Sequence, residues 1–590
     1  MMEVLTRRSL LTLLALVLLQ APWLARPPHY DEANFLTLAR GAVLDPWRPH
    51  AVRINWQGVE ERAFEVLSNP PGIAWWLAPV VDQHVAVQRI WMLPWLGLTL
   101  WGMWKLGQRF SGDAERSALL LVTSPLVFLA TPALLPDAPL LACVVAGLGG
   151  FIHAIDRERP AAGWALLLGA ASLFRYSALP LVGLLAWYAV RRGRSPLMAL
   201  PGLVPFGLLV LHDLHAYGAV HFLAMGRFQS VANAPLDVAH KGVALACMLG
   251  GAAALPFFPW KPAAWMGALV GALAATPFGG VATAFGALGG ATLGAAVAAE
   301  GVFDQNPRDQ RFLRAWWIGG ALFLLSLRFT AARYWLPFLP ALLLCLPTQR
   351  WTRRLLATQL TLAVLLAADD DRSARAQEEL ASQVARLGSG VFTGHWGWQW
   401  QMESRGWRAI DEGSRPSPGT LVAMPREAWP QPVDVSCNRV AWEGVAHAPF
   451  PWIPRGYSSE GRANLHANWM ASPNAGESPV RTVIPWTFAN DPYERVRVCQ
   501  DCGEGGCEAE TPGPVAESDA PPPPKADTDA ARTTKAAPRP GSASFRAAPA
   551  PSTSPSKGAG AGGRTSSPRV KPAPPPKPAP RGPGTGTGRR

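Results

Sequence analysis

The sequence predicts a mainly α-helical, polytopic membrane protein with a small α/β domain and a polar tail. Two observations support this fold class. Of the 590 residues, 49% are hydrophobic and only 16% are charged, whereas soluble proteins carry about a quarter charged residues. Apolar runs of nearly membrane-spanning length also recur from Ser9 to Ala367. We therefore expect about thirteen transmembrane helices.

The predicted spans are Ser9–Leu24, Val85–Trp104, Ala118–Leu134, Ala138–Ile155, Ala161–Phe174, Ser177–Val190, Pro196–Leu211, Gly242–Phe257, Pro262–Pro277, Val281–Ala299, Ala315–Leu327, Tyr334–Leu346 and Leu355–Ala367. The first resembles a signal peptide but lacks a convincing cleavage site, so we expect it to be retained. With the N-terminus inside, nearly every cytoplasmic loop is basic, as the positive-inside rule requires. The odd number of spans then places everything after Asp369 outside.

The chain divides into three predicted parts. Residues 1–368 form the transmembrane domain, with a long first outer loop at 25–84. Residues 369–510 have mixed polarity and β-like runs at Gly419–Met424 and Val480–Pro485, which predict a small outer α/β domain. Residues 511–590 are rich in Pro, Ala, Gly, Lys and Arg, so we expect disorder.

The net charge of +13 is concentrated in that tail, where 13 Lys and Arg face 4 Asp and Glu. The membrane domain is therefore only weakly basic, and we expect no nucleic-acid partner. A basic tail outside the cell is expected to bind anionic envelope polymers electrostatically.

Three carboxylates are candidate catalytic residues. Asp31 and Glu32 follow the first apolar run, and Asp137 lies at the outer turn before the fourth span. A carboxylate there can act as a general base on an acceptor hydroxyl or amine. The structural alternatives are a solvated acidic pair for Asp31 and Glu32, and a helix N-cap for Asp137.

Three arginines lie on the predicted outer side against the positive-inside rule: Arg175, Arg328 and Arg333. An anionic ligand would account for them, because guanidinium groups bind phosphate through paired, charge-assisted hydrogen bonds. The alternatives are snorkelling to lipid headgroups and salt bridges to Asp31 or Asp137.

Further polar residues are weaker candidates. Asn69-Pro70-Pro71-Gly72 predicts a rigid turn back towards the membrane. His212, Asp213, His215 and His221 are expected to be polar interfacial residues rather than metal ligands, because their spacing is unspecific. His395, in an aromatic stretch, is expected to dock under the membrane domain as a lid.

The seven cysteines fall into two groups. Cys143, Cys247 and Cys345 lie in or beside apolar spans and are expected only to fill space. Cys437, Cys499, Cys502 and Cys507 lie in the predicted outer domain, where disulfides are favoured by the oxidising compartment. A zinc site built from the same four cysteines is the alternative.

Several motifs, in this order, resemble the GT-C superfamily of membrane glycosyltransferases, in particular the family 39, protein O-mannosyltransferase, aminoarabinose-transferase and Rgt-like group. The motifs are Asp31-Glu32, Asn69-Pro70-Pro71, Pro136-Asp137-Ala138-Pro139-Leu140, Phe174-Arg175-Tyr176-Ser177 and Arg333-Tyr334-Trp335-Leu336-Pro337. The resemblance covers about the first 370 residues. Asn69 replaces the basic residue that usually precedes Pro-Pro, and Arg175 replaces a lysine.

The resemblance implies an inverting transferase that moves a sugar from a polyprenyl phosphate to a glycolipid, polysaccharide or protein. Asp31 would deprotonate the acceptor, with Glu32 and Asp137 stabilising the transition state or binding the acceptor. Arg175, Arg328, Arg333 and Tyr334 would hold the donor phosphate. Asn69, Pro70, Tyr176 and His395 would line the substrate pocket. No cofactor is expected, although a divalent cation stays open.

The same resemblance implies a bacterial inner membrane, with the N-terminus cytoplasmic and the C-terminal domain periplasmic or extracellular. Two other classes of protein remain as alternatives. Intramembrane charges also suit a lipid or sugar transporter or flippase, although the charges cluster at one outer level and no internal repeat is evident. An envelope-assembly scaffold would use the tail and would not need Asp31.

Overall fold

The structure is a computed structural model that describes residues 7–56, 58–229, 235–253, 262–298, 307–328, 330–345, 352–435, 437, 439–470 and 480–500. Residues 1–510 form one compact unit. The predicted tail at 511–590, with Cys502 and Cys507 before it, lies outside the described residues.

The protein is mainly helical, as predicted. Its helices are α1 (Arg7–Gln20), α2 (Glu32–Leu44), α3 (Ala63–Val66), α4 (Gly72–Leu77), α5 (Val85–Met92), α6 (Pro94–Phe110), α7 (Ala114–Val122), α8 (Pro125–Ala130), α9 (Asp137–Asp156), α10 (Ala162–Ala170), α11 (Leu179–Arg191), α12 (Val204–Tyr217), α13 (His221–Gln229), α14 (Pro235–Met248), α15 (Pro262–Ala275), α16 (Gly280–Val297), α17 (Pro307–Ser326), α18 (Leu339–Cys345), α19 (Thr352–Ala385) and α20 (Trp396–Glu403). Short 3₁₀ turns at Tyr176–Ala178 and Ala332–Trp335 carry predicted site residues.

Three helical stretches in the described part of the chain are long and apolar enough to cross a membrane: α9, Pro196–Tyr217 and α16. Shorter apolar helices occur at Leu13–Trp23, Ala162–Leu173 and Pro262–Phe278. Several other predicted spans are broken, as α7 and α8 are between Val122 and Pro125. The expected total of about thirteen spans therefore stays a prediction.

Helix α9 lies at the centre of the helical bundle. Nearly all of its residues are buried, from Asp137 to Ile155. Close packing depends on glycines at its contacts. A Cβ at Gly102 of α6 would lie 2.4 Å from the backbone nitrogen of Ala146, and one at Gly147 would lie 2.6 Å from that of Leu168. The first residue of α9, Asp137, is thereby fixed at one end of the bundle.

Helix α19 is continuous over 34 residues and contains both the last predicted span and the predicted domain boundary at 368/369. Gln359 is buried in its first half and donates to the backbone oxygen of Leu120 at 3.1 Å. Asp369 and Asp370 follow on the same helix, both buried or nearly so. One rigid element therefore joins the helical bundle to the C-terminal segment.

The C-terminal segment contains a five-stranded mixed sheet in the order β4-β3-β5-β11-β6. The strands of the chain are β1 (Arg53–Asn55), β2 (Glu60–Arg62), β3 (Gly390–Phe392), β4 (Arg408–Ala409), β5 (Leu421–Pro425), β6 (Arg439–Ala446), β7 (Tyr457–Ser458), β8 (Ala463–Asn464), β9 (Trp469–Met470), β10 (Val480–Arg481) and β11 (Glu494–Gln500). Strand β3 is parallel to β4 and β5, whereas β11 is antiparallel to β5 and β6. Strand β5 overlaps the first predicted β-like run, Gly419–Met424, and extends one residue beyond it, whereas β10 falls within the second run, Val480–Pro485.

Cys437 and Cys499 form a disulfide, with their Cα atoms 5.1 Å apart. This pairing agrees with the expectation of disulfides. It also removes two of the four thiolates that the zinc alternative required. Cys143, Cys247 and Cys345 are buried and free, as expected for cysteines that fill space.

Candidate functional site

Asp31 lies immediately before α2 and faces the 3₁₀ turn at Ala332–Trp335. Its carboxylate Oδ2 accepts a hydrogen bond from Nη2 of Arg333, and the two residues form an ion pair. The preceding residue, Tyr30, has φ of +48°, a left-handed conformation that a bulky side chain rarely adopts. This strained turn places Asp31 towards Arg333.

Asp137 and Arg175 form a second acid–guanidinium pair. Nη2 of Arg175 donates to Oδ2 of Asp137 at 3.1 Å. The guanidinium carbon of Arg175 also lies 5.1 Å from the ring centre of Tyr334, within reach of a cation–π interaction. Since Tyr334 follows Arg333, the two pairs are neighbours in space.

Arg333 and Arg175 both have N–H groups that their ion pairs do not use. Nε and Nη1 of Arg333, Nε of Arg175 and Oδ1 of Asp137 are buried and have no hydrogen-bond partner in the described part of the chain. Burial opposes the charge of Arg333, but Asp31 and Asp137 outweigh it and raise the pKa of Arg333. A permanently charged guanidinium with free, buried N–H groups is suited to bind an anion.

An open pocket with about 500 Å³ of empty space lies beside these pairs. Its apolar side is formed by short side chains from α8 and the residues that follow it. The lining residues are Arg26, His29, Tyr30, Glu32, Leu126, Leu129, Ala130, Ala133, Leu135, Asp137, Arg333, Asp370, Leu465 and His466. One side of the pocket is thus apolar and the other side is polar, which suits an amphiphilic substrate.

Glu32 lies at this pocket but its carboxylate is fully engaged. Oε1 accepts from Arg26 and Arg89 at 2.8 Å each and from the backbone of Leu134 at 3.1 Å. Oε2 accepts from Arg89 at 2.8 Å and from the backbone of His29 at 2.9 Å. Burial opposes ionisation, but Arg89 and Arg26 lower the pKa of Glu32 to about 2. The geometry therefore gives Glu32 a structural role, whereas its predicted catalytic role has no free oxygen atom to act through.

Four other predicted residues lie away from this pocket. Tyr176 forms a hydrogen bond with Nδ1 of His221 at 2.8 Å, and the backbone oxygen of Asn69 faces Nε2 of His50 at 3.0 Å. Pro70 is buried at the turn before α4, and Arg328 lies half-buried beyond α17. Like Asp31, Arg175 and Tyr334, none of the four is among the residues that line the pocket. The roles of all the predicted site residues stay predictions.

His395 is buried and its Nδ1 faces the backbone oxygen of Asn55 at 3.1 Å. Burial lowers the pKa of His395 to about 4. The following residues pack tightly on the first outer loop, since a Cβ at Gly397 would lie 2.6 Å from the backbone oxygen of Pro28. The segment therefore packs on Pro28 and His29, but His395 itself does not line the pocket, and its role as a lid stays a prediction.

The histidines of α12 and α13 hold the first outer loop in place. Nε2 of His212 faces the backbone oxygen of Trp47 at 2.7 Å, and Nε2 of His221 faces that of Leu67 at 2.8 Å. Asp213 interacts with both, through Nδ1 of His212 and the backbone nitrogen of His221. These contacts agree with a structural, non-metal role. Among the described residues no group of three His, Cys, Asp or Glu could hold a metal ion.

The sequence reasoning missed the polar wall formed by Arg26, His29, Asp370 and His466. Asp370 forms an ion pair with Arg26, and its Oδ1 lies 3.4 Å from Nδ1 of His29 and 3.5 Å from Nε2 of His466. The run Asp369-Asp370-Asp371 at the end of an apolar span was a visible signal. No such sequence signal marked His466, since it lies far along the chain in a loop after β8.

The loop after β8 is attached to the turn that carries Arg333. The backbone nitrogen of Asn468 donates to the oxygen of Thr330 at 2.8 Å, and Oδ1 of Asn468 accepts from the nitrogen of Thr330 at 2.9 Å. The backbone nitrogen of Ala332 also donates to the oxygen of Leu465 at 3.4 Å. The C-terminal segment thus helps to build the pocket and to fix Arg333.

No protein-family model matches the chain, and no curated protein matches it. The chain is similar to two crystal structures of ArnT from Cupriavidus metallidurans, one in the apo state and one bound to undecaprenyl phosphate. Identity is 15% in both, the TM-scores are 0.38 and 0.39, and the matches cover 70% and 71% of this chain and 92% and 93% of ArnT. At these scores the similarity does not by itself establish the fold or the activity of this chain.

Proposed function

We propose that the protein is an integral membrane glycosyltransferase of the GT-C type that moves a sugar from a polyprenyl phosphate to an acceptor. The site would lie on the outer face of a bacterial inner membrane. The acceptor would be an envelope glycolipid, polysaccharide or protein. The motifs quoted from the sequence and the geometry of the pocket support this proposal.

The observation that carries the proposal is the pairing of Asp31 with Arg333 beside Asp137 with Arg175. Each pair joins a carboxylate to a guanidinium that keeps at least one buried N–H without a partner in the described residues. A sugar phosphate presents the complementary groups, namely an anion for the guanidinium groups and hydroxyls for the carboxylates.

The chemistry follows from these positions. Arg333 and Arg175 would bind the phosphate oxygens and stabilise the charge that grows as the bond to the sugar breaks. A carboxylate or imidazole on the polar wall would take the proton of the acceptor as the new bond forms. The leaving phosphate needs little acid assistance, so one base suffices. The apolar wall near α8 would hold the first units of the polyprenyl chain.

The test uses the full-length protein in nanodiscs with a panel of radiolabelled polyprenyl-phosphate sugars and an envelope extract as acceptor. Wild type should release polyprenyl phosphate from one donor. Arg333→Met should lower that rate about 100-fold or more, the range for removing one preorganised donor. Arg48→Met, on an exposed ion pair with Asp45, is the matched control and should keep the wild-type rate.

Absence of release from every donor by folded wild type would contradict the proposal. Movement of a labelled lipid across the bilayer by Asp31→Asn, without transfer, would instead favour a transporter or flippase. An envelope defect that depends on residues 511–590 and not on Asp31 would favour a scaffold.

A further inference from the structure

His466 belongs to the pocket although it lies more than a hundred residues after Arg333. It is one of the lining residues, and its ring contacts that of Tyr30, with ring centres 3.7 Å apart and planes tilted by 34°. Its side chain is 20% exposed, so a ligand can reach it. The Asn468 and Leu465 contacts described above hold the loop on both sides of this residue.

The ring of His466 is oriented by Asp370. Nε2 of His466 lies 3.5 Å from Oδ1 of Asp370, is buried and has no hydrogen-bond partner in the described residues. The N–O distance is slightly longer than a hydrogen bond, as often happens in a site without substrate. A carboxylate opposite Nε2 favours the tautomer that carries its proton there. Nδ1 is then the nitrogen that can accept a proton.

Glu32 is not free to act as the base, and Asp31 has one of its two carboxylate oxygens held. Oδ2 of Asp31 is held by Arg333, and both oxygens of Glu32 are held by arginines and backbone N–H groups. The other imidazole beside Asp370, that of His29, is only 2% exposed, and burial lowers the pKa of His29. Both histidines line the pocket, but the side chain of His29 is more enclosed than that of His466, which is 20% exposed.

We infer that His466 is the general base for the acceptor and that Asp370 is the residue that positions it. This inference rests on the proposed glycosyl transfer. The acceptor oxygen or nitrogen forms a bond to the anomeric carbon as the bond from that carbon to the phosphate oxygen breaks. The electron pair of the broken bond leaves with the phosphate towards Arg333 and Arg175. The acceptor proton goes to Nδ1 of His466, and the resulting imidazolium is stabilised by Asp370.

The charged and aromatic groups around His466 come from several elements. Asp370 approaches on α19, and Tyr30 contacts the ring from the segment before α2. Arg26 and His29 contact Asp370 from the same N-terminal segment, and Arg333 lies on the turn to which the His466 loop is attached.

The experiment compares wild type, His466→Gln and His466→Ala in the nanodisc assay, from acid to neutral pH. Removal of a general base should lower kcat about 100-fold and abolish the acid limb of the pH profile. Free imidazole should restore a large part of the lost rate in His466→Ala but not in Arg333→Met. His447→Gln, an exposed histidine of the same C-terminal segment, should behave as wild type.

The outcomes separate this inference from the proposed function. Wild type that is inactive with every donor contradicts the glycosyl transfer itself. Active wild type with an unchanged rate and profile in His466→Gln overturns the role of His466 alone. A third outcome is a folded His466→Ala protein whose rate is low, whose pH profile keeps its acid limb and whose rate is not raised by imidazole. Such a protein has lost only the packing of the side chain, and this result would also overturn the inference.

Discussion

Asp137 and Arg175 lie 3.1 Å apart, Oδ2 to Nη2, at the beginnings of two helical segments. Asp137 is the first residue of α9, and Arg175 precedes the 3₁₀ turn that leads into α11. The pair is therefore fixed by the bundle and not by flexible loops. The salt-bridge alternative weighed for Arg175 is thus realised. The helix N-cap alternative for Asp137 is not, because Pro136 occupies the N-cap position and Asp137 is the first helical residue.

Two substitutions of Arg175 distinguish the effect of its charge from the effect of its guanidinium geometry. We expect Arg175→Lys to keep activity within about tenfold, because an ammonium group can still pair with Asp137 and contact an anion. Arg175→Met should lower turnover about 100-fold, since it removes a donor and leaves Asp137 buried and unpaired. Steady-state release of polyprenyl phosphate measures both. Equal loss in the two variants would show that the guanidinium geometry is essential.

Glu32 is expected to matter for stability. Glu32→Gln breaks the buried pairs with Arg26 and Arg89 and should lower the free energy of unfolding by about 3–5 kcal/mol. The lowered pKa of Glu32 means that its contribution is present above the unfolded pKa and is lost as pH falls towards about 2. Thermal unfolding in detergent, compared with Asp31→Asn, checks this. A stable but inactive Glu32→Gln protein would support the predicted catalytic role of Glu32.

Asn468 should act on the pocket at a distance. Asn468→Ala removes the acceptor for the N–H of Thr330 and loosens the turn that carries Arg333. We expect the free energy of unfolding to fall by about 1–3 kcal/mol and kcat to be reduced. Hydrogen–deuterium exchange should increase in residues 330–336 of this variant. Unchanged exchange there would show that the turn is held by its own helix contacts.

The C-terminal sheet should be less stable at higher pH. Burial and the neighbouring Glu427 raise the pKa of Glu494 to about 8, and burial raises that of Glu427 to about 7. A raised folded pKa gives stability that is present below the unfolded value of about 4 and is lost as pH rises through about 7–8. Tryptophan fluorescence should therefore show that the unfolding midpoint falls as the pH rises from about 4 to about 8.

Glu494→Gln should flatten this pH dependence, because the amide cannot ionise. Glu443→Gln, at a position whose side chain is 54% exposed, should leave it unchanged. A midpoint that rises with pH in wild type would mean that these carboxyl groups are ionised in the folded protein.

Loss of the Cys437–Cys499 disulfide should destabilise the same sheet. The cysteines are 62 residues apart, and closing a loop of that size typically stabilises a domain by about 2–4 kcal/mol. The double variant Cys437→Ala/Cys499→Ala should lower the unfolding midpoint and be insensitive to reductant. Peptide mapping without reductant should recover the linked pair from wild type.

The sequence predicted the elements whose signal is local. Helix α9 follows from one apolar run, and Asp31, Asp137, Arg175 and Arg333 could be named because each interrupts an apolar pattern. Glu32 was not distinguishable from Asp31, since neighbouring charges look alike until the backbone turns them to different partners. His466 could not be predicted, because its place depends on pairing between segments 138 residues apart.

Helix α19 fixes the distance between Thr352 and Asp370, the carboxylate on the polar side of the pocket. At 1.5 Å per residue, Asp370 lies about 27 Å along the axis from Thr352, close to the thickness of a bilayer's hydrocarbon core. With the predicted span Leu355–Ala367 across the membrane, the number of residues in this helix would set the distance of Asp370 and His466 from the opposite membrane face. Removing a single turn between Thr352 and Asp370 would draw the carboxylate about 5.4 Å inward and misalign it with the arginines that other helices hold in place.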